Sequence, residues 1–319
     1  MRAVQFCEFG DPSVLHLGTT ADPDPPTGDE LLVQVEASSI NGTDLGLRRG
    51  EAKIATWGRM PFVPGFDLAG TVLACGPQVT AFRPGDQVMA LLGHGGGGQA
   101  ERVVLRQGRA ALVPRTCSLV EAAAIPLAGL TALQALHRQA RLASYGPSAR
   151  VLVIGASGGI GSFAVQLAKL AGAHVTGVAS GPKVSFVAGL GADEVLDRRT
   201  HDLTTPGERY DVVFDTPARH TFPQLQHLLT RDGTFVTTRP LAADALRSVS
   251  DRLRRSSRRW TAVMTSARPG DLAHLADLVD RGHLRANVHR SYPMAQAADA
   301  HRHAEETATG KVVLSISST

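Results

Sequence analysis

The chain has 319 residues, 43% hydrophobic and 19% charged, enough apolar material for one or two soluble domains with a sizeable core. Its 33 basic and 29 acidic residues leave a net charge of +4, too small to imply a nucleic-acid partner, so the excess is assigned to solvated surface. Three widely separated cysteines, Cys7, Cys75 and Cys117, have no paired spacing, which argues against a disulfide framework or a structural zinc lobe and for a reducing compartment.

The opening "MRAVQFCEFGDPSVLHL" lacks a signal-peptide core, and the expectation is a cytoplasmic protein. Short strand-like runs follow, "ELLVQVEASSI", "DLAGTVLACG" and "DQVMALLG", punctuated by Gly and Pro, and predict a compact, partly closed β domain. At Ser118 the character changes. "SLVEAAAIPLAGLTALQALHRQA" has helical spacing and opens on a Ser118/Glu121 capping box; Glu121 and Pro126 within it argue against a membrane span. From Arg150 strands alternate with helices: "RVLVIGA", "SFAVQLAKLAG", "HVTGVAS", "VSFVAGLG", "DEVLD", "YDVVFDT", "GTFVTT" and "WTAVMTS". That alternation predicts a parallel sheet covered on both faces. Two tail helices, in "GDLAHLADLVDRGHL" and "MAQAADAHRHAEET", precede a last strand, "KVVLSI".

The strongest motif is "VLVIGASGGIGSFAVQLAK", which sets Ala156, Ser157, Gly158, Gly159, Ile160 and Gly161 between a buried strand and a helix. Residues without a Cβ let backbone N–H groups approach a pyrophosphate, and the helix N-terminus adds partial positive charge, so this is a dinucleotide fingerprint. Ala156 holds the first glycine position of the usual pattern. An NAD site ends its second strand in a carboxylate for the ribose 2′-hydroxyl. Here that strand ends in Ser180, with Lys183 close behind and Arg198 and Arg199 after the third strand. A hydroxyl and cations favour the 2′-phosphate of NADPH; the other reading of Lys183 and the arginines is solvated element ends.

In order along the chain, "PFVPGFDLAGTVLACGPQVTAFRPGDQV", "GGQAERVVL", "EAAAIPLAGLTALQAL", the glycine motif, "LGADEVLD", "YDVVFDT" and "YPMAQAADAHRHAEETATGKVVL" resemble the zinc-free quinone oxidoreductase and enoyl reductase branch of the medium-chain dehydrogenase/reductase superfamily. The resemblance implies an α/β fold: a doubly wound Rossmann nucleotide domain (126–267) and a GroES-like β-rich catalytic domain (1–125 and 268–319), with the active site in the cleft. It also implies a homodimer, with "WTAVMTS" as candidate edge strand. It sets Thr131 near the nicotinamide end of the cofactor, and Asp215, Thr216, Thr237 and Thr238 along ribose and nicotinamide.

In the metal-dependent relatives, zinc ligands begin with a Cys before Gly-Thr-Asp and the His of a Gly-His-Glu segment. This chain has Asn41 and Phe66 there, an amide and a phenyl ring, so no metal site is expected. Many zinc-free relatives carry a Tyr where Gly46 stands, and no other tyrosine takes its place. The catalytic candidates are therefore Asn41, as a donor to a substrate carbonyl or as a turn cap; Asp44, as an acid or a cap; and His94, in the glycine loop, as a proton donor or a solvated side chain. Trp57 and Met60 in "GEAKIATWGRMPF" form an expected substrate wall. Gln99 stands where many relatives have Tyr, and reads either as an open, polar stretch of pocket or as a solvent-facing side chain.

The function that follows is NADPH-dependent hydride delivery to an activated C=C bond of an enone or enoyl thioester, without metal. NADPH:quinone reduction is the alternative. A sensor that binds NADPH, or an RNA-binding protein using the basic "RLRRSSRRW", is the reading of another class.

Overall fold

The computed structural model describes residues 1–51, 60–93, 95–239, 257–306 and 309–316. They form two compact units, Met1–Leu130 with Ser266–Thr319, and Thr131–Thr265. The first contains β1 (Arg2–Gln5), β2 (His16–Thr19), β3 (Glu30–Ile40), α1 (Gly42–Arg48), β4 (Asp67–Cys75), β5 (Gln87–Leu91), β6 (Arg102–Arg106), β7 (Ala110–Leu112) and α2 (Leu119–Ala123). Helix α3 (Pro126–Gln134) leads into the second, which holds β8 (Arg150–Ile154), α4 (Gly159–Leu170), β9 (His174–Ala179), α5 (Val184–Gly189), β10 (Glu194–Asp197), β11 (Tyr210–Asp215), α6 (Phe222–Leu225), β12 (Leu229–Thr237) and β13 (Arg259–Ala262). The chain returns to the first unit with α7 (Pro269–Asp280), β14 (Val288–Pro293), α8 (Ala297–Glu306) and β15 (Lys311–Ser315).

In the first unit the sheet runs β14-β15-β3-β4-β5-β7, with β6 also on β3. Strand β3 shows why it forms: Leu31, Val33, Val35 and Ala37 alternate with less buried residues, one face inward and one outward. The last strand lies antiparallel to it, Val312 opposite Ile40 and Ser315 opposite Ala37. This pairing sets Lys311 beside the loop that follows β3, and the site below depends on it.

The second unit is a six-stranded parallel sheet, ordered β10-β9-β8-β11-β12-β13. The apolar runs Val151–Ile154 and Val212–Phe214 are buried, as strands covered on both faces require. Leu152, Ile154, Val213, Phe222 and Phe235 form its core, with Trp260 packed against them. The order reverses between β8 and β11, and in such sheets ligands lie outside the carboxyl ends of the strands at that reversal. The fold is therefore the expected α/β one, a doubly wound sheet plus a β-rich unit.

Two local expectations are corrected. The segment of helical spacing from Ser118 is divided at Pro126, whose missing N–H cannot continue the α2 ladder, while the Ser118/Glu121 capping box is present. The strand expected over "WTAVMTS" pairs only from Arg259 to Ala262, and Met264 beyond it is 74% exposed.

Candidate functional site

In the second unit, Gly155 follows β8 and turns the chain with φ +72°. A Cβ there would meet Thr216 Oγ1 at 2.8 Å, so conformation and space both require glycine. Gly161 is needed for a different reason: its Cβ would lie 2.1 Å from the Gly155 carbonyl oxygen, closing the turn. Between them Ala156 and Ser157 are buried, whereas Gly158, Gly159 and Ile160 reach solvent. Gly158 caps α4, whose first turn carries no acidic side chain, so the partial positive charge of the helix N-terminus is not countered there. The resulting cradle of small residues at a helix N-terminus fits a pyrophosphate. The sequence reading overlooked Gly155, whose positive φ makes the turn.

The carboxyl ends of β9 and β10 gather the cations. Ser180 opens a short turn in which Lys183 N–H donates to the Ser180 carbonyl (2.7 Å), and Arg198 N–H donates to the Ala179 carbonyl (2.9 Å). Burial holds the Lys183 ammonium below its usual range, and the charge of Arg198 adds to this. Two cations thus repel each other at this end of the sheet. Arg199 is used differently: it pairs with Asp197 at 2.8 Å, over Gly181, and holds that carboxyl down at about 2.

At the ends of β11 and β12, Thr216 Oγ1 donates to the Ile154 carbonyl (2.8 Å) and Thr238 Oγ1 to the Thr216 carbonyl (3.0 Å). Asp215 is buried and accepts from His220, while Thr237 Oγ1 donates to the Arg239 carbonyl. Thr131, on α3, is hydrogen-bonded to Thr265 (2.7 Å). The sheet therefore gathers Gly155 to Gly161, Ser180, Lys183, Arg198, Asp215, Thr216 and Thr237 along one edge, the carboxyl ends of the strands.

The first unit holds a buried charge network that the sequence reading did not foresee. Asp67 Oδ2 accepts from Ser39 Oγ (2.7 Å) and Asn41 Nδ2 (2.9 Å), and Oδ1 accepts from the main-chain N–H of Leu127 (2.7 Å), in the first turn of α3. Lys311 Nζ donates to the Ile40 carbonyl (2.9 Å) and to Asn41 Oδ1, and lies 3.7 Å from Asp67 Oδ2. Asp44 accepts from the N–H groups of Asn41 (2.8 Å) and Gly65 (2.7 Å). Burial drives the Asp44 carboxyl up to about 6 against these hydrogen bonds, raises Asp67 and lowers Lys311. Two buried carboxyls thus share one buried ammonium.

These contacts define what the two candidates do here. Asn41, 6% exposed, spends Nδ2 on Asp67 and the Ser39 carbonyl and Oδ1 on Lys311, which leaves no amide hydrogen for a substrate. Both Asp44 oxygens are held by main chain, in the cap role rather than at an open edge.

Gln99 is 0% exposed, so it is not the solvent-facing side chain of one expectation. Its side-chain amide has no hydrogen-bond partner among the described residues. Met60 is exposed, and Trp57 and His94 lie outside the described residues. Of the basic segment, Arg252 to Ser256 lie outside them too. Arg258 and Arg259 donate to the carbonyls of Thr230 and Ala140, and Trp260 pairs with Phe235 in the sheet, so this part serves the fold.

The residues do not fit a catalytic zinc. Phe66 has no donor atom and Asn41 is engaged, and no group of three His, Cys, Asp or Glu side chains placed to hold a metal occurs among the described residues. Among those residues, no helix is long and apolar enough to cross a membrane.

Comparison with known proteins agrees with this architecture. Residues 27–115 match the alcohol dehydrogenase GroES-like domain, and residues 190–314 match a family described as zinc-binding dehydrogenase. A chloroplast envelope quinone oxidoreductase homolog of Arabidopsis thaliana is 34% identical over 323 residues, covering 98% of both chains. The NADPH-dependent alkenal/one oxidoreductase of the same plant is 32% identical over 224 residues, 67% of this chain and 57% of its own. The solved quinone oxidoreductase of Coxiella burnetii superposes with a TM-score of 0.91 at 29% identity, covering 99% of each chain. The chain is an oxidoreductase of the medium-chain dehydrogenase/reductase superfamily and belongs to its quinone oxidoreductase branch.

Proposed function

We propose that this protein uses NADPH to reduce an electron-poor, conjugated carbonyl acceptor, without metal. The observation that carries the reading is the pairing of the Gly155–Gly161 cradle with the Lys183/Arg198 cation pair on one sheet edge. The cradle accepts any dinucleotide; the cations, with Asp197 already neutralised by Arg199, select the 2′-phosphate. When bound, the reduced nicotinamide supplies a hydride to the β-carbon of an enone or enoyl thioester. The chain's own part is to bind, align and exclude water. Asn41 and Asp44 are spent on the buried network, so the completing proton is left to solvent or to a side chain other than these two. A donor set lacking a thiolate or imidazole at positions 41 and 66 supports the metal-free route, which conjugate reduction tolerates and alcohol oxidation does not.

Quinone reduction is the second reading, favoured by the Arabidopsis and Coxiella proteins named above. A homodimer through β13 accompanies either one, supported by that strand's place at the end of the sheet and by the exposed Met264 beside it.

An NADPH-oxidation screen over enones, enoyl thioesters and quinones, with product analysis and an NADH control, tests the function. Saturated carbonyl products formed with NADPH, unaffected by EDTA, are expected. Hydroquinone as sole product would select the second reading. Activity lost to EDTA and restored by zinc would overturn the metal-free one.

A further inference from the structure

Beyond the carboxyl end of β11, the six residues from Asp215 to His220 fold back on themselves. Thr216 is tied to β8 through the Ile154 carbonyl and accepts from Thr238 at the end of β12, so the turn is fixed from both sides. Ala218 sits at φ +50°, an uncommon conformation for a residue with a Cβ that is kept where surrounding structure enforces it. Its effect is to return His220 to Asp215. The His220 main-chain N–H donates to Asp215 Oδ2 (2.7 Å), and the ring Nδ1 lies 3.3 Å from the same oxygen. Asp215 is fully buried, and its Oδ1 has no partner among the described residues. The imidazole is 25% exposed.

A carboxylate on Nδ1 sets the tautomer, with the hydrogen on Nδ1 and the lone pair on Nε2. The ring is thereby an oriented acceptor at the sheet's ligand-bearing edge. In a sheet of this order each half takes one mononucleotide. The cations at the ends of β9 and β10 assign the adenosine 2′-phosphate to the first half, and β11 opens the other.

We propose that Asp215 and His220 form a carboxylate–imidazole pair that reads the nicotinamide-side ribose, with His220 Nε2 accepting a hydrogen bond from a ribose hydroxyl. The inference rests on the dinucleotide reading and adds to it a contact that no glycine motif announces. The ring is a binding group, and Asp215 is the positioning residue behind it.

The test compares NADPH with adenosine 2′,5′-bisphosphate, which lacks the nicotinamide ribose, as ligands of the intact protein, with circular dichroism confirming the fold of each variant. His220→Phe keeps a ring and removes the acceptor. It should raise Kd for NADPH about fivefold, the worth of one hydrogen bond, and leave the bisphosphate unchanged. His220→Gln, whose amide oxygen accepts, should recover most of the loss. An unchanged NADPH affinity in both variants would overturn the contact. So would an equal loss for both ligands, which would show the ring acting only through the fold of the turn. A wild-type protein binding neither ligand would remove the dinucleotide reading and this contact with it, whereas binding of both with no selective effect removes the contact alone.

Discussion

Lys311, the first residue of the last strand, donates its ammonium hydrogen to the carboxamide oxygen of Asn41, 270 residues earlier in the chain. Both side chains are buried, and Asp67 completes the group. Where metal-dependent relatives begin their zinc site, this chain has a fixed cation bound to an amide. That arrangement ties the loop after β3 to the first turn of α3, because Asp67 also holds the Leu127 N–H.

Removing that cation should be costly. Lys311→Met keeps much of the apolar stem but leaves Asp67 and Asp44 without a counter-charge, and breaking a buried pair this way costs about 3–5 kcal/mol. Adding Asp67→Asn removes one of the stranded carboxylates, so the double variant should lose at least ~1 kcal/mol less than the two single losses summed. Urea unfolding of all four proteins measures this. A loss of less than about 1 kcal/mol for Lys311→Met, with strict additivity, would show that the three groups are not coupled.

Asp44 gives the network a pH signature. Its carboxyl titrates near 6 in the folded protein against 3.8 ordinarily, so between these values the folded state holds more protons than the unfolded chain. Stability contributed by this group therefore falls as pH rises from about 4 to 6 and is level above that. Asp44→Asn cannot titrate and serves as the reference. The stability of the wild type relative to this variant should be greatest near pH 4 and decline towards pH 6. A difference that rises over that range would refute the raised carboxyl.

How much of this was legible depended on distance along the chain. The strand–glycine turn–helix unit is legible because all of it lies within Arg150–Leu170. The place of Ser180, Lys183 and Arg198 at strand ends is legible for a related reason, since each follows a recognisable strand. Lys311 was not: in "GKVVLSI" it looks like the polar start of an edge strand, and only the antiparallel register with β3 carries it to Asn41. Gly155 was passed over because its φ is invisible in a run of small residues. The Asp215–His220 pair was hidden by the turn at Ala218, whose left-handed conformation no residue type signals.

The burial of Gln99 is hidden from the sequence in the same way, being set by neighbours remote along the chain. Its main-chain N–H donates to the Pro64 carbonyl and its carbonyl accepts from Val4, which holds the residue inside. An amide without partners in such a place costs about 1–3 kcal/mol for each group left unsatisfied. Gln99→Met preserves length and removes both polar atoms, so it should raise stability by about 1 kcal/mol or more. Thermal unfolding reads the shift. A marked loss would mean that the amide is hydrogen-bonded in solution, by water or by a ligand.

Cofactor choice offers the most direct check on the sheet edge. Lys183 and Arg198 are close enough for their charges to oppose each other, a cost that a bound phosphate would convert into attraction. Replacing either by Ala should raise KM for NADPH about tenfold through loss of one charge-assisted hydrogen bond, and leave KM for NADH nearly unchanged. Arg199→Ala differs, because Arg199 is committed to Asp197 at the neck of the same turn. Freeing that carboxylate places a negative charge beside the proposed phosphate site, so the ratio of kcat/KM for NADPH over NADH should fall here as well, and more steeply at low ionic strength. Parallel kinetics with both cofactors at two salt concentrations separate these effects. Equal losses with NADPH and NADH in the Lys183 and Arg198 variants would mean that these cations serve the fold of the turn and do not select the 2′-phosphate.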